Sequence, residues 1–162
     1  MTERRLKRIL GWEEIVWYVE EIIDQIPTPD YDLLLVITRG GMVPACLISE
    51  RMNLRNIVVA AVQFHRRTGE SLQMPVFWQF PDDEVLRDRS VLVVDDVWTS
   101  GNTAVTVRNR VREIASQVDV AVLHYKPSES HFESEEPDFF AEMTDDWVIY
   151  PWDSEDHSRS GE

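Results

Sequence analysis

The segment Val91-Leu-Val-Val-Asp-Asp-Val-Trp-Thr-Ser-Gly-Asn-Thr103 joins an aliphatic run to an acidic pair and a loop of small residues. Val91–Val94 is unbroken and mostly β-branched, which predicts a strand covered on both faces of a sheet. Asp95 and Asp96 stand where that strand is expected to end, and the pattern from Ala104 to Ile114 predicts a helix. This order of elements is typical of an α/β fold with a parallel sheet flanked by helices.

The loop between the acids and the helix predicts a site for a phosphorylated sugar. A helix N-terminus offers unpaired N–H groups and the positive end of the helix dipole to a phosphate. Gly101 lets the backbone approach a ligand closely, and the hydroxyl groups of the loop can donate to phosphate oxygens. Asp95 and Asp96 can accept hydrogen bonds from ribose hydroxyls or hold a divalent cation. A plain helix cap is the alternative, but it leaves the acid pair and the glycine unexplained.

The same segment resembles the phosphoribosyl pyrophosphate (PRPP) signature of the type I phosphoribosyltransferases. The resemblance implies that Asp95 and Asp96 hold the ribose hydroxyls of PRPP and a Mg²⁺ ion, and that Thr99 completes a catalytic set with them. It also implies that the loop wraps the 5′-phosphate of PRPP with Thr99, Ser100, Gly101, Asn102 and Thr103.

A second strand–loop–helix unit precedes the first. Leu33–Thr38 is an apolar run that predicts a central parallel strand, and Met42–Met52 has helical periodicity. Between them, glycines permit unusual backbone geometry and an arginine can fork onto pyrophosphate oxygens. The family has a pyrophosphate-binding loop here, so the resemblance implies that Arg39 and Gly40 bind PRPP. A plain βα turn with a surface arginine is the alternative.

Residues 63–90 lack continuous periodicity, and a connection this long is usually functional or mobile. The resemblance implies a flexible hood that closes over PRPP, in which Arg66 and Arg67 could meet pyrophosphate. The family often has a Ser and a Tyr near the start of the hood, and this chain has neither in residues 63–65. A β-hairpin insert is the alternative for residues 72–80.

The C-terminal part predicts where a base binds. Lys126 stands at a strand end, and a Trp-x-x-x-Pro-Trp-Asp segment begins at Trp147. The pair is similar to the small microbial purine phosphoribosyltransferases, especially the xanthine–guanine and hypoxanthine branches. The similarity implies that Lys126 donates to a 6-oxo oxygen, that Trp147 stacks on the purine, and that backbone groups of Val148 and Ile149 read the 2-position. Packing on the domain is the alternative, and we favour it for Trp152.

Thr99 departs from the 6-oxopurine enzymes, which carry at this position an aspartate thought to handle the N7 proton. Threonine can hydrogen-bond there but cannot act as a carboxylate base near neutral pH. Trp98 replaces a usual aliphatic residue. The resemblance implies transfer of the 5-phosphoribosyl group from PRPP to xanthine, guanine or hypoxanthine, with release of pyrophosphate. Two alternatives stay open: a regulatory module of the same fold that senses PRPP or a nucleotide, and a transferase for a non-purine base.

The remaining segments predict the outline of the molecule. The spacing from Trp12 to Ile26 predicts an amphipathic helix, and Ile57–Val62 and Asp119–Tyr125 predict strands. Less regular parts are residues 1–10, expected to be a surface arm or helix start, the acidic residues 128–146, and residues 154–162, expected to be a disordered tail.

Composition limits the class of protein. With 162 residues, the chain suits one α/β domain, which we place at residues 1–153. The formal charge of −14 argues against non-specific nucleic-acid binding. A single cysteine, Cys46, fits a reducing compartment, and no run reaches the length of a membrane span. We therefore expect a cytoplasmic protein, and the resemblance implies a homo-oligomer, either a dimer or a tetramer.

Overall fold

The computed structural model describes residues 6–27, 30–66 and 73–153. The elements in chain order are β1 (Lys7–Ile9), α1 (Trp12–Gln25), β2 (Leu33–Ile37), α2 (Met42–Met52), β3 (Ile57–Arg66), β4 (Gln73–Gln79), α3 (Asp83–Leu86), β5 (Ser90–Trp98), α4 (Asn102–Arg112), β6 (Gln117–Tyr125), a 3₁₀ helix (Pro127–Glu129), β7 (Phe139–Met143) and β8 (Trp147–Ile149). No helix among these is long and apolar enough to cross a membrane.

The main sheet has six strands in the order β4-β3-β2-β5-β6-β7, and β1 and β8 form a separate pair. All neighbours in the main sheet are parallel except β3 and β4. Helices cover both faces of this sheet, so the predicted α/β fold with a parallel sheet flanked by helices is confirmed.

The central strand β2 shows why an uninterrupted apolar run is needed. Successive side chains of a strand point to opposite faces of the sheet. Leu34 and Val36 belong to the core on the side of α1 and α2, whereas Leu33, Leu35 and Ile37 belong to the core on the side of α4. Every residue of β2 is buried, because both faces carry helices.

Strand β5 is longer than the sequence predicts, because it continues through both acids. Its pairing with β6 extends to Trp98, opposite Tyr125. Its pairing with β2 stops earlier, at Val94 opposite Val36. The prediction that the strand ends before Asp95 is therefore wrong. Within the described residues, one side of β5 has no strand partner from Asp95 onward, and this leaves a notch at the carboxyl edge of the sheet.

The prediction that residues 63–90 form an irregular connection is wrong for much of that range. β3 continues to Arg66, and β4 returns antiparallel to it with a register shift at Ala61/Val62. The β-hairpin alternative for residues 72–80 therefore describes β4. The predicted hood contacts fall on Arg67 and on the side chain of Arg66, which lie outside the described residues, as does the predicted tail at 154–162.

Two segments expected to be irregular contain short strands. β1 lies in the predicted arm, and it pairs in parallel with β8, with Lys7 opposite Trp147. β7 lies in the acidic stretch 128–146 and pairs with the edge of β6. Strands of three to five residues contain too few alternating positions to be recognised by periodicity.

The helix α1 offers a direct test of this packing. We expect Ile22→Ala to lower the free energy of unfolding by about 2–5 kcal/mol, because its side chain is 0% exposed and a cavity would remain. The control Val16→Ala, at a site 39% exposed on the same helix, should change it by about 0.5 kcal/mol or less. Urea unfolding of both variants measures the difference, and equal losses would contradict the assignment of faces.

Candidate functional site

The acidic pair lies in the notch of the main sheet. The amide of Asp96 donates to Oδ1 of Asp95 at 2.9 Å. Burial and the neighbouring Asp96 raise the pKa of Asp95 well above its ordinary value, and burial raises the pKa of Asp96 to about 6. No cationic side chain of the described residues forms an ion pair with either carboxyl group. The pair is therefore suited to a ligand that supplies hydroxyl donors or positive charge.

The loop after β2 packs directly against Asp96. A Cβ atom at Gly40 would lie 2.5 Å from Cγ of Asp96, so any larger residue would require the carboxyl group to move. The amide of Met42 donates to the carbonyl oxygen of Arg39 at 3.1 Å, and the Thr38–Arg39 peptide is cis. The guanidinium of Arg39 has no acidic partner in the described part of the chain. An unpaired guanidinium beside a carboxyl pair fits a ligand that carries both phosphate and hydroxyl groups.

The loop after β5 forms the N-terminus of α4. Gly101 caps the helix with φ of 81°, a left-handed conformation that glycine adopts without penalty. The amide of Asn102 donates to Oγ of Ser100 at 3.3 Å. The next two amides, those of Thr103 and Ala104, have no acceptor in the described chain. They point out of the first turn, which is the arrangement that binds a phosphate.

Trp98 packs its buried indole against this loop at Gly101. Its indole is 1% exposed, and a Cβ atom at Gly101 would lie 2.5 Å from its Nε1. Nε1 of Trp98 donates to Oγ of Ser130 at 3.3 Å, and the guanidinium of Arg108 lies 5.4 Å from the ring centroid. Arg108 also donates to the carbonyl oxygen of Glu136 at 2.9 Å. The departure at Trp98 therefore fills the space between the loop and the segment that follows β6.

Two clefts meet at Asp96. One, of about 610 Å³, is lined by Arg39, Gly40, Met42, Val43, Asp96, Trp152 and Asp153. The other, of about 270 Å³, is lined by Asp95, Asp96, Val97, Trp98, Thr99, Ser100, Gly101, Thr103 and Ala104. The structure thus brings the predicted phosphate loop and the predicted pyrophosphate loop to opposite sides of one carboxyl group. Trp152, predicted to pack on the domain, packs against the core and also lines the larger cleft, whereas Asp153 is not among the predicted site residues.

Lys126 lies at the same edge of the sheet but lines neither cleft. Its amide donates to the carbonyl oxygen of Trp98 at 2.9 Å, and its side chain is largely buried. Nζ donates to the carbonyl oxygen of Asp146 at 2.7 Å and lies 3.4 Å from Oε1 of Glu129. An ammonium has three N–H groups, so one stays available to a ligand. Trp147, next to Asp146, is 42% exposed, which leaves its ring accessible for stacking.

The pairing of β8 separates the two residues predicted to read the base through their backbones. The amide of Trp147 donates to the carbonyl oxygen of Leu6, and the amide of Leu10 donates to the carbonyl oxygen of Ile149. In a parallel pair, alternate residues point their backbone groups at the partner strand, so those of Val148 point away from β1. The geometry favours Val148, because the carbonyl oxygen of Ile149 is already engaged.

A comparison with known proteins decides the family. Residues 7–159 match the phosphoribosyl transferase domain family. The chain belongs to this family. The predicted membership of the type I phosphoribosyltransferases, and with it the prediction of a glycosyltransferase enzyme, is confirmed.

Relatives with a stated activity cover most of the chain. The xanthine-guanine phosphoribosyltransferase of Idiomarina loihiensis is 29% identical over 150 residues, which are 91% of this chain and 88% of that protein. The xanthine-guanine phosphoribosyltransferase of Chromohalobacter salexigens is 25% identical over 145 residues, which are 89% of this chain and 82% of that protein.

Two solved structures share the fold closely. The purine phosphoribosyltransferase from Pyrococcus horikoshii superposes with a TM-score of 0.78 at 26% identity, covering 91% of this chain and 95% of that one. A hypothetical protein from Neisseria gonorrhoeae with bound ppGpp superposes with a TM-score of 0.80 at 25% identity, covering 96% of this chain and 94% of that one.

The acidic pair should cost the protein stability. Because the pKa of Asp96 is raised to about 6 in the fold, ionising this group lowers the stability of the folded state, and the loss is complete above that pH. We expect Asp96→Asn to raise the free energy of unfolding at pH 7.5 by roughly 1–3 kcal/mol, and to abolish PRPP binding. The gain should shrink as the pH falls from 6 toward 4, because the wild-type carboxyl group then becomes protonated in the fold.

Thermal unfolding between pH 4 and 8, together with calorimetric titration of PRPP, measures both effects. The exposed Asp30 provides the control, since Asp30→Asn should leave both quantities unchanged. A melting temperature of Asp96→Asn equal to or below that of the wild type at pH 7.5 would contradict this account of the pair.

Proposed function

We propose that this chain transfers the 5-phosphoribosyl group from PRPP to N9 of a 6-oxopurine, which is xanthine, guanine or hypoxanthine, and releases pyrophosphate. The observation that carries the proposal is the position of Asp96 between the two clefts, with a helix N-terminus in one and Arg39 beside the other. The purine phosphoribosyltransferases among the relatives and solved structures support the choice of a purine.

The residues of the site have separate tasks in this proposal. The amides of Thr103 and Ala104, with the loop hydroxyls, hold the 5′-phosphate, and Arg39 contacts the pyrophosphate. The bond from C1′ to the pyrophosphate oxygen breaks, pyrophosphate leaves with the electron pair, N9 of the base forms the new bond, and the N7 proton of the base passes to water beside Thr99. The ribose becomes positively charged in between. The carboxyl groups of Asp95 and Asp96, which accept from the ribose hydroxyls, stabilise that charge in their ionised form.

A Mg²⁺ ion fits this donor set only together with the substrate. The described residues contain no group of three or more acidic, histidine or cysteine side chains that could hold an ion by themselves. Mg²⁺ is usually bound through one or two carboxylates plus substrate phosphates, so Asp95 and Asp96 suit such a shared site. Bound there, the ion would neutralise charge on the pyrophosphate.

A second candidate is a module that senses a nucleotide without efficient turnover. Thr99 lines the cleft at the position where a carboxylate base would be needed. The similar protein from Neisseria gonorrhoeae binds ppGpp, which offers phosphate groups and a 6-oxopurine to a site of this kind. The two candidates share the binding residues and differ in catalysis.

One assay separates the candidates. The wild-type protein is incubated with PRPP, Mg²⁺ and each of xanthine, guanine, hypoxanthine, adenine and orotate, while pyrophosphate release is followed. Turnover with a 6-oxopurine supports the transferase, and turnover with adenine or orotate alone contradicts the choice of base. Tight binding of ppGpp with no turnover for any base supports the sensor.

Base recognition by Lys126 gives a quantitative prediction. We expect Lys126→Met to weaken GMP binding by about 10–100-fold and PRPP binding far less, since a hydrogen bond from a charged donor contributes about 1.5–3 kcal/mol. The loss should disappear for 2-aminopurine ribonucleotide, which lacks the 6-oxo oxygen. Lys7→Met removes an exposed charge opposite Trp147 and should change neither affinity. Equal losses for GMP and PRPP would assign Lys126 to the phosphates or to structure.

Position 99 tests the purine chemistry itself. If Thr99 manages the N7 proton only through water, Thr99→Asp should raise kcat for the preferred 6-oxopurine, because a positioned acid–base group contributes about 10²-fold or more. Thr103→Asp, in the same cleft, adds the same charge and should only weaken PRPP binding. No gain in kcat for Thr99→Asp with any of the three bases, in a variant whose fold is intact, would count against the purine transferase.

The proposal includes two further expectations. The protein should form a dimer or tetramer in solution, which light scattering measures, and it should be found in the cytoplasmic fraction of its source cells. Both rest on the family resemblance.

A further inference from the structure

Tyr150, directly after β8, connects the predicted base-binding segment to the strand that carries the acidic pair. Its side chain is buried, with the residue 5% exposed. Oη of Tyr150 lies 2.8 Å from Nδ1 of His124 and 3.2 Å from the backbone carbonyl oxygen of Asp96. Its ring stacks on that of Trp152 with 4.7 Å between centroids and 6° between planes. Trp152 in turn lines the larger cleft.

The hydrogen bond from Tyr150 to Asp96 requires one tautomer of His124. The phenol of Tyr150 has one proton, and a carbonyl oxygen can only accept, so donation to Asp96 uses that proton. Oη of Tyr150 then accepts from a proton on Nδ1 of His124. Its other nitrogen, Nε2, is left without a proton, and it has no hydrogen-bond partner among the described residues. The imidazole is neutral near pH 7, because burial lowers the pKa of His124 to about 4.

The far side of His124 is fixed by groups from three other elements. Nε2 of His124 lies 3.6 Å from Oε2 of Glu142 in β7. That carboxylate accepts from Oη of Tyr18 in α1 at 2.5 Å and from the guanidinium of Arg8 in β1 at 2.7 Å. Arg8 also donates to Oη of Tyr18 at 2.8 Å. The carboxylate that faces Nε2 is therefore itself held by two donors, and a rotation of the imidazole would break the contact between Nδ1 and Tyr150.

We propose that Tyr150 is a positioning residue that sets the distance between the base-binding segment and the ribose-binding strand, an inference that rests on the proposed function. The segment carries Trp147 and Val148 for the base, and the strand carries Asp95 and Asp96 for the ribose. Attack of N9 on C1′ requires base and ribose to be aligned closely, and small displacements reduce the rate. A hydroxyl held between His124 and the carbonyl of Asp96 fixes this alignment.

The test compares Tyr150→Phe with Tyr31→Phe. Tyr31 is a matched control, because its hydroxyl is also buried and donates to Oδ2 of Asp119 at 2.6 Å, near the start of β6 at the opposite edge of the sheet. Each variant loses one phenolic hydroxyl, which makes two hydrogen bonds at Tyr150 and one at Tyr31. We expect Tyr150→Phe to raise the KM for guanine on the order of tenfold, with the Kd for PRPP unchanged. It should also speed hydrogen exchange in residues 147–149, whereas Tyr31→Phe should do neither.

A measurement on the wild-type protein is independent of any variant. Long-range ¹H–¹⁵N correlation of the His124 ring should show a neutral imidazole protonated at Nδ1. A proton on Nε2 would overturn the proposal, because Tyr150 would then donate to His124 and leave Asp96 without its donor. Equal effects of Tyr150→Phe and Tyr31→Phe on the guanine KM and on exchange in residues 147–149 would also overturn it.

The failure of the proposed function would look different. If the wild-type protein turns over no base, the transferase is excluded, and hydrogen exchange together with the tautomer of His124 still decides whether Tyr150 joins the two parts of the site.

Discussion

The site depends on a mismatch in length between two neighbouring strands. β2 stops pairing with β5 at Val36, and β5 continues to Trp98. From Asp95 onward, one side of the β5 backbone faces the loop after β2 instead of a neighbouring strand. The loop approaches so closely that a side chain at position 40 would collide with the carboxyl group of Asp96, and Arg39 lines the same cleft as that group. The clefts on either side of Asp96 both follow from this early end of β2.

This arrangement lowers the stability of the fold, because it buries two carboxyl groups away from water. Burial raises the pKa of both groups, and no ion pair from the described residues offsets it. Elsewhere in the chain the protein does pair its buried charges, as with Arg108 and the acidic segment after the 3₁₀ helix. The contrast indicates that the unpaired carboxyls are kept for a ligand, since function often opposes stability at a site.

Much of the fold and part of the site could be predicted from the sequence. Long apolar runs, such as the one in β2, give strands, because a strand buried on both faces needs apolar residues at every position. The ordered signature from Val91 to Thr103 located the acids and the loop at the N-terminus of α4. The three-residue strand β1 could not be recognised, because its partner lies about 140 positions away and neither strand has a usable period.

Other features depend on pairing and register, which composition does not contain. The preference for Val148 over Ile149 follows from which residues of β8 point toward β1. Asp153 and Trp152 reach the larger cleft only because the chain turns after β8. The contact between Tyr150 and His124 joins residues 26 positions apart that lie on different elements, and no motif links them.

The pairing of β1 with β8 also has a consequence for how the site is made. Residues 7–9 are synthesised early, yet their strand partner is residues 147–149, so this small sheet cannot close until nearly the whole domain has left the ribosome. Closing so long a loop is entropically unfavourable until the main sheet has brought its ends together. The segment proposed to bind the base should therefore be the last part of the site to form, after the loop between β5 and α4, which is built from neighbouring residues.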